Sequence, residues 1–290
     1  MRPGKGQPAS TETPLPGRGR GATRTIAALA VTSVFALPVY LVLTNTFKRS
    51  GDIFSRPGRL PLPPTLSNLS AVLDRPDRLF WSGLINSVQV TALSVAASTV
   101  LSAMLAHYLV RSRTRAAKLL TVLVVIGLTI PMAVTLEPVT KILLSLHLMT
   151  TLPGLILVNI AWNVPFGVLL FMGFIKSIPL ELEEAAAIDG AGPIRSFFAV
   201  VFPLLRPAAA SVVIFTAVGV WNDFITPLII LGPANGTTVT VGMYRQISEH
   251  VSDYGAVFAF MVLATAPVVV LFLFFQRHFV KGLLGGATKG

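Results

Sequence analysis

Polar and apolar positions in this chain separate into long blocks instead of alternating at a helical or strand period. Six apolar blocks stand out: Thr25 to Phe47, Asn86 to Leu109, Leu119 to Leu136, Leu152 to Ile175, Leu205 to Leu231 and Ala256 to Phe275. Each is close to the roughly 20 residues that a helix needs to cross a hydrocarbon core. A large soluble core would hold its apolar residues in short periodic runs instead. Pro38, Pro131, Pro165 and Pro267 fall inside the blocks. In a helical bundle, neighbouring helices and hydroxyls satisfy the carbonyls that proline frees. The pattern predicts an all-α, polytopic membrane protein with about six transmembrane helices. For the first block the competing reading is a cleaved signal peptide. The block exceeds a typical apolar signal core and no small-x-small site follows closely, so it reads as a retained span.

The polar segments set the organisation. Residues 1–24 are rich in Gly, Pro, Ser, Thr and Arg and predict a disordered basic tail. Residues 25–85 hold the first span and a long loop, Lys48 to Arg78. Its prolines at Pro57, Pro61, Pro63, Pro64 and Pro76 predict extended chain that touches an outer binding protein. Residues 86–276 form the core, and 277–290 a basic tail.

Composition sharpens this picture. Only 12% of residues are charged and mean hydropathy is +0.74, whereas soluble domains carry about 25% charge. The net charge of +11 would suggest nucleic acid for a soluble protein. In a membrane protein it belongs to inside loops and anionic lipid. With both termini inside, 15 of the 23 Lys and Arg fall on the inner side, and the cluster Arg111, Arg113 and Arg115 is the firmest anchor. Six of the outer eight lie in the long first loop, where they weigh less. The chain has no cysteine, which excludes disulfides, thiolate metal sites and cysteine catalysis.

One stretch breaks the greasy pattern: Pro179 to Pro203, between the fourth and fifth blocks. Ser177 and Pro179 suit a helix start, with Glu181 and Glu183 near the positive end of its dipole. Ala185, Ala186 and Ala187 favour helix with little bulk. Gly190 is placed to take a left-handed conformation that ends the helix, and Pro193 to start another. The second carries Ile194, Phe197, Phe198 and Val201 at helical spacing. Pro203 and Pro207 close it. From the residues alone, this is either a knuckle that docks in a groove of another protein or an interfacial linker.

Glu184-Ala185-Ala186, then three residues, Gly190, nine residues, and Val200-Val201-Phe202-Pro203 resembles the EAA loop, E-A-A-x3-G-x9-I-x-L-P, of bacterial ABC importer permeases. Val200 and Phe202 stand where that pattern has Ile and Leu. Ile188-Asp189-Gly190-Ala191 is similar too. The resemblance covers residues 80–290 well and implies a type I importer permease fold. It also implies that Glu184, Ala185, Ala186, Asp189, Gly190 and Pro203 couple to an ATPase. Asn86-Ser87, Trp221-Asn222-Asp223-Phe224 and the carboxy-terminal run from Gln276 to Leu283 resemble the carbohydrate branch, including MalG-like subunits. The implied partners are a second, non-identical permease, two ATPase subunits that bind ATP and Mg, and an extracytoplasmic sugar-binding protein in the inner membrane system.

Asn159, Trp162 and Asn163 in the fourth block and Trp221, Asn222 and Asp223 in the fifth have the side chains that bind sugar hydroxyls and faces. A charge deep in lipid costs about 2.5–3.5 kcal/mol, so Asp223 should face the interior or water. Against this, span asparagines often bond a neighbouring helix and tryptophans mark the interface. Glu137, Lys141 and His147 read as solvated, His107 as a packing or interface residue, and His278 as part of a basic anchor. No phosphate loop G-x-x-x-x-G-K-[ST] and no metal spacing such as H-E-x-x-H occurs, so no catalytic residue and no bound cofactor or metal is expected here. A non-sugar solute such as a polyamine, peptide or anion is the alternative cargo, and a stand-alone secondary transporter the alternative class.

Overall fold

The computed structural model describes residues 18–232, 237–249 and 253–287, and among them the secondary structure is helical. Helix α1 is Arg18–Thr46, α2 Ser50–Ser55, α3 Ser67–Leu73, α4 Leu79–Arg111, α5 Arg115–Thr129, α6 Met132–Ser145 and α7 Leu152–Ile175. After these come α8 Glu181–Ile188, α9 Pro193–Ser196, a π-helical turn Phe197–Val201 and α10 Phe202–Leu204. Helices α11 Arg206–Asn222, α12 Ile225–Ile230, α13 Val239–Glu249 and α14 Tyr254–Ala287 complete the chain. Four of these are long and apolar enough to span a membrane, or up to six if each of two bent helix pairs counts as one span.

The centre is the pair α4 and α7. Small residues make up much of the buried surface of α4, among them Ser94, Ser98, Ser102, Ala103 and Ala106. Lipid is as apolar as leucine, so helices there associate by close packing, which small side chains permit. Gly167 of α7 faces Ser102, whose hydroxyl donates to the Val164 carbonyl at 3.1 Å. Helix α5 approaches Pro165 of α7 at Gly127. Helix α11 packs on α4, α7 and α14, and α1 lies outermost against α14.

Two of the six apolar blocks are not straight spans. The third splits at Pro131: α5 ends at Thr129 and α6 leaves at 110°. Proline disfavours helical geometry in the residue before it, and Ile130 is extended, with φ −80° and ψ 120°. The fifth splits at Asp223, also extended, with φ −65° and ψ 128°. Pro38, Pro165 and Pro267 remain inside continuous helices. The long loop is not extended chain throughout, since it folds α2 and α3. Asn68 is buried there and its amide donates to the Thr46 and Lys48 carbonyls, at 2.8 and 2.7 Å. Helix α1 begins inside the stretch read as a tail, and α14 continues through 277–287. Residues 1–17 and the His278 side chain lie outside the described parts.

At the end of the bundle where α4 begins, Arg75 joins the α3–α4 connection to α13. Its Nη1 donates to Gln246 at 2.6 Å and its Nη2 to Asp77 and Glu249 at 2.7 and 2.8 Å. Hydrogen bonds from Arg75 hold both carboxyls below their ordinary pKa, with Arg245 adding to the effect. A lowered carboxyl pKa stabilises above the ordinary carboxylate range and is lost as pH falls through the lowered value. Arg75→Ala is expected to destabilise this end by about 1–3 kcal/mol, read as a lower unfolding temperature in detergent. The lower end of that range applies, because Asp77 and Glu249 are 42% and 40% exposed. The gap between variant and wild type should begin to narrow near pH 4, in the ordinary carboxylate range, and go on narrowing as pH falls through the lowered values in the wild type.

Candidate functional site

The corner predicted at Gly190 is present. Gly190 has φ +82°, a conformation that costs a residue with Cβ but not glycine. Its N–H donates to the Ala187 carbonyl at 3.0 Å, and Ala191 N–H to Ala186 at 2.9 Å. This pair of bonds is the Schellman termination. Gly192 then sits extended, Pro193 occupies the first helical turn, and Ser196 N–H closes on the Gly192 carbonyl at 2.8 Å. Ser177 does not cap α8. Its hydroxyl is held at the end of α7 by the Phe174 carbonyl, and Leu180 stands at the cap position without a side-chain bond.

The apolar residues of the second segment divide between two faces. Phe197 and Val201 are buried in a core with Ala106, Leu109, Phe171 and Ile175. Ile194 is 70% exposed and Phe198 44%, and Ile188 across the corner is 87% exposed. Gly192, Pro193, Ile194, Arg195, Phe198 and Ala199 line an open concavity of about 640 Å³. Arg195 lines it, and Glu181, Glu184 and Asp189 are exposed on the α8 side of the corner. Ala185 and Ala187 are exposed and Ala186 half-buried, and α8 buries no residue. Uncovered apolar surface with a charged rim marks an interaction face. Pro203 lies in α10, just before the chain bends by 79° into α11.

The loop is fastened to the bundle by residues that local sequence patterns do not show. Glu183 Oε1 accepts from Arg111 Nε at 2.8 Å and lies 2.8 Å from Nη2 in an ion pair, and Oε2 pairs with His107 Nε2 at 2.7 Å. Arg111 Nη2 also donates to the Ile178 carbonyl at 2.9 Å. His107, read as a packing or interface residue, stands with its ring 5.3 Å from that of Phe197. A signal existed: His107 and Arg111 share a face at i, i+4. Their acidic partner is 72 or more residues away, beyond any local periodicity.

The polar residues of the spans have different settings. Asn159 is buried and its amide donates within α7 to the Leu155 carbonyl at 2.9 Å. Asn163 does likewise to Asn159, and Trp162 packs on a core that includes Val158, Val220 and Ile230. Trp221 is buried and its indole donates to the Ala264 carbonyl at 3.2 Å, joining α11 to α14. Asn222 is exposed, bonded to the Val218 carbonyl. Asp223 Oδ1 accepts from Thr226 N–H at 3.2 Å and so starts α12, while its Oδ2 is buried without a partner. Glu137 and Lys141 form an exposed pair at 2.8 Å.

The sequence profile of the family described as the binding-protein-dependent transport system inner membrane component matches residues 98–285. The chain is 33% identical over 267 residues to the melibiose/raffinose/stachyose import permease protein MelC of Bacillus subtilis strain 168, covering 92% of this chain and 96% of that one. It is 34% identical over 266 residues to the diacetylchitobiose uptake system permease protein NgcG of Streptomyces coelicolor, covering 91% and 87%. A chain in the crystal structure of a bacterial ABC transporter that imports the acidic polysaccharide alginate superposes with a TM-score of 0.80 at 20% identity, over 92% of this chain and 100% of that one.

Proposed function

The chain belongs to the family of binding-protein-dependent transport system inner membrane components, an ABC importer permease, and from that premise we propose that its cargo is a sugar or oligosaccharide. MelC and NgcG are named for sugar uptake, which supports this cargo over a polyamine, peptide or anion. The chain works beside a second, non-identical permease. Two ATPase subunits, which bind ATP and Mg, dock on the cytoplasmic side, and an extracytoplasmic binding protein delivers the sugar. Both termini are cytoplasmic in this reading.

One observation carries the reading: the bent α8–α10 corner, held to α4 by ion pairs, presents Ile188 and Ile194 largely exposed and Phe198 partly so. In the assembly these apolar residues enter a socket on the ATPase. Glu184 and Asp189 pair with basic groups at its rim, while Ala185 and Ala186 allow close approach. Closure of the ATPase pair on ATP moves the corner, and the spans alternate between outward and inward openings. Among the substrate-path residues, Asn163, Trp162, Asn222 and Asp223 keep exposed surface, whereas Asn159 and Trp221 act through packing.

The test is uptake by the reconstituted complex with its binding protein. ATP-dependent uptake of melibiose, raffinose or diacetylchitobiose is expected, with none by this chain alone. ATP-driven uptake of a polyamine, peptide or inorganic anion but no sugar would overturn the cargo. Uptake without the ATPase subunits would overturn the coupling.

A further inference from the structure

Of the three acidic residues in the first turn of α8, Glu183 is turned inward, while Glu181 and Glu184 face out. Its side chain is 14% exposed, and those of His107 and Arg111 21%. Both carboxylate oxygens are engaged, Oε1 by the Arg111 guanidinium and Oε2 by His107. A carboxylate only accepts, so His107 Nε2 donates whether or not the ring is charged. Through Ile178 and Phe197 the same cluster reaches the α7–α8 connection and the π-helical turn.

Helix α8 buries no residue. Without an apolar core beneath it, its hold on α4 is mainly this carboxylate. Charge-assisted hydrogen bonds are directional and strong, and partial burial limits their screening. Helix α4 is in turn packed along α7 by small residues, so a push on its end moves the central pair as a unit. We propose that Glu183 is a positioning residue that transmits displacement of α8 to α4, through Arg111 and His107, while the neighbouring Glu184 serves the ATPase interface. The proposal rests on the coupling role given to this corner and adds the part by which the stroke enters the spans.

The experiment uses the full complex in proteoliposomes, with ATPase copurification, ATP hydrolysis and sugar uptake read separately. Glu183→Gln keeps the side chain's shape and removes its charge. Expected are unchanged copurification and largely retained hydrolysis, with sugar moved per ATP falling by roughly tenfold or more, the size of one charge-assisted bond. Arg111→Lys keeps the charge but loses the guanidinium that bonds both Glu183 and Ile178 and should give an intermediate loss, which covers the case of poor folding by the first variant. The exchanged pair Glu183→Arg with Arg111→Glu should recover part of the ratio. A merely structural tie would lower hydrolysis and uptake together and leave the ratio unchanged, which overturns the proposal. Loss of copurification in Glu183→Gln alone also overturns it, because the residue would then belong to the docking face. Failure of the wild-type chain to hold the ATPase would sink the coupling reading itself.

Discussion

Gly190→Val is expected to abolish both ATPase copurification and sugar uptake while leaving the chain in the membrane at wild-type abundance. The space around a Cβ at Gly190 is open, so no clash within this chain is involved. The effect is conformational. Gly190 sits at φ +82°, where an L-residue pays about 1–2 kcal/mol and a β-branched one more. Two helices of eight and four residues meet at this corner, and α8 has no buried residue to hold it if the angle relaxes. The corner angle also sets the spacing of Ile188 from Ile194, the two most exposed of its apolar residues. Asparagine visits the left-handed region more readily than other non-glycine residues, so Gly190→Asn should retain part of both activities. Membrane abundance, copurification and uptake in the two variants together decide the matter. Normal copurification by Gly190→Val would remove the corner angle from the mechanism. Equal loss in Gly190→Asn would point to contact at the α-carbon instead.

That corner was legible because its chemistry is local. A run of alanines, a glycine and a proline specify a helix, a left-handed stop and a restart within about four residues of one another, and no distant partner is needed. The spans were legible for a similar reason, since hydropathy alone selects them. The bends at Pro131 and Asp223 were less so. Pro165 and Pro131 look alike in sequence, yet only Pro131 breaks its helix. The two sit in different surroundings: α5 packs against the Pro165 ring through Gly127, whereas Pro131 starts α6 at a sharp bend. Asp223 reads in sequence as a sugar ligand or a solvated group, and the geometry shows one of its oxygens at the start of α12, a local role that reading did not include.

The tie of Glu183 to His107 and Arg111, and the role of Trp221 as a strut to Ala264, depend on pairs far apart in the chain. Polar residues in spans serve packing and function with the same side chains. Residue type nominates Asn159 and Trp221 for a sugar path; the structure buries both and bonds Asn159 to Leu155 and Trp221 to Ala264.

The second large effect is expected at the α4–α7 contact. Gly167→Ala should lower the amount of folded chain sharply, and Gly167→Ala with Ser102→Gly should recover much of it. A methyl at 167 would collide with the Ser102 hydroxyl and lie 2.7 Å from its β-carbon. Real β-carbons do not approach so closely, and the β-carbon of Ser102 cannot rotate away as the hydroxyl can. One of the two helices must therefore move. Overpacking of a tight core costs about 1–3 kcal/mol, and this contact lies at the middle of the central pair, beside fully buried Val168 and Val212. Deleting the side chain at 102 removes both colliding atoms, at the loss of its bond to Val164. Ser102→Gly alone should therefore be mildly destabilising, and the double variant better than Gly167→Ala. That inversion is the signature of a steric contact between the two positions. Folded yield and unfolding temperature of the four forms in detergent measure it. Additive losses would mean that α4 and α7 do not meet at this pair, and the close packing from which the stroke of Glu183 is carried into the membrane would lose its support.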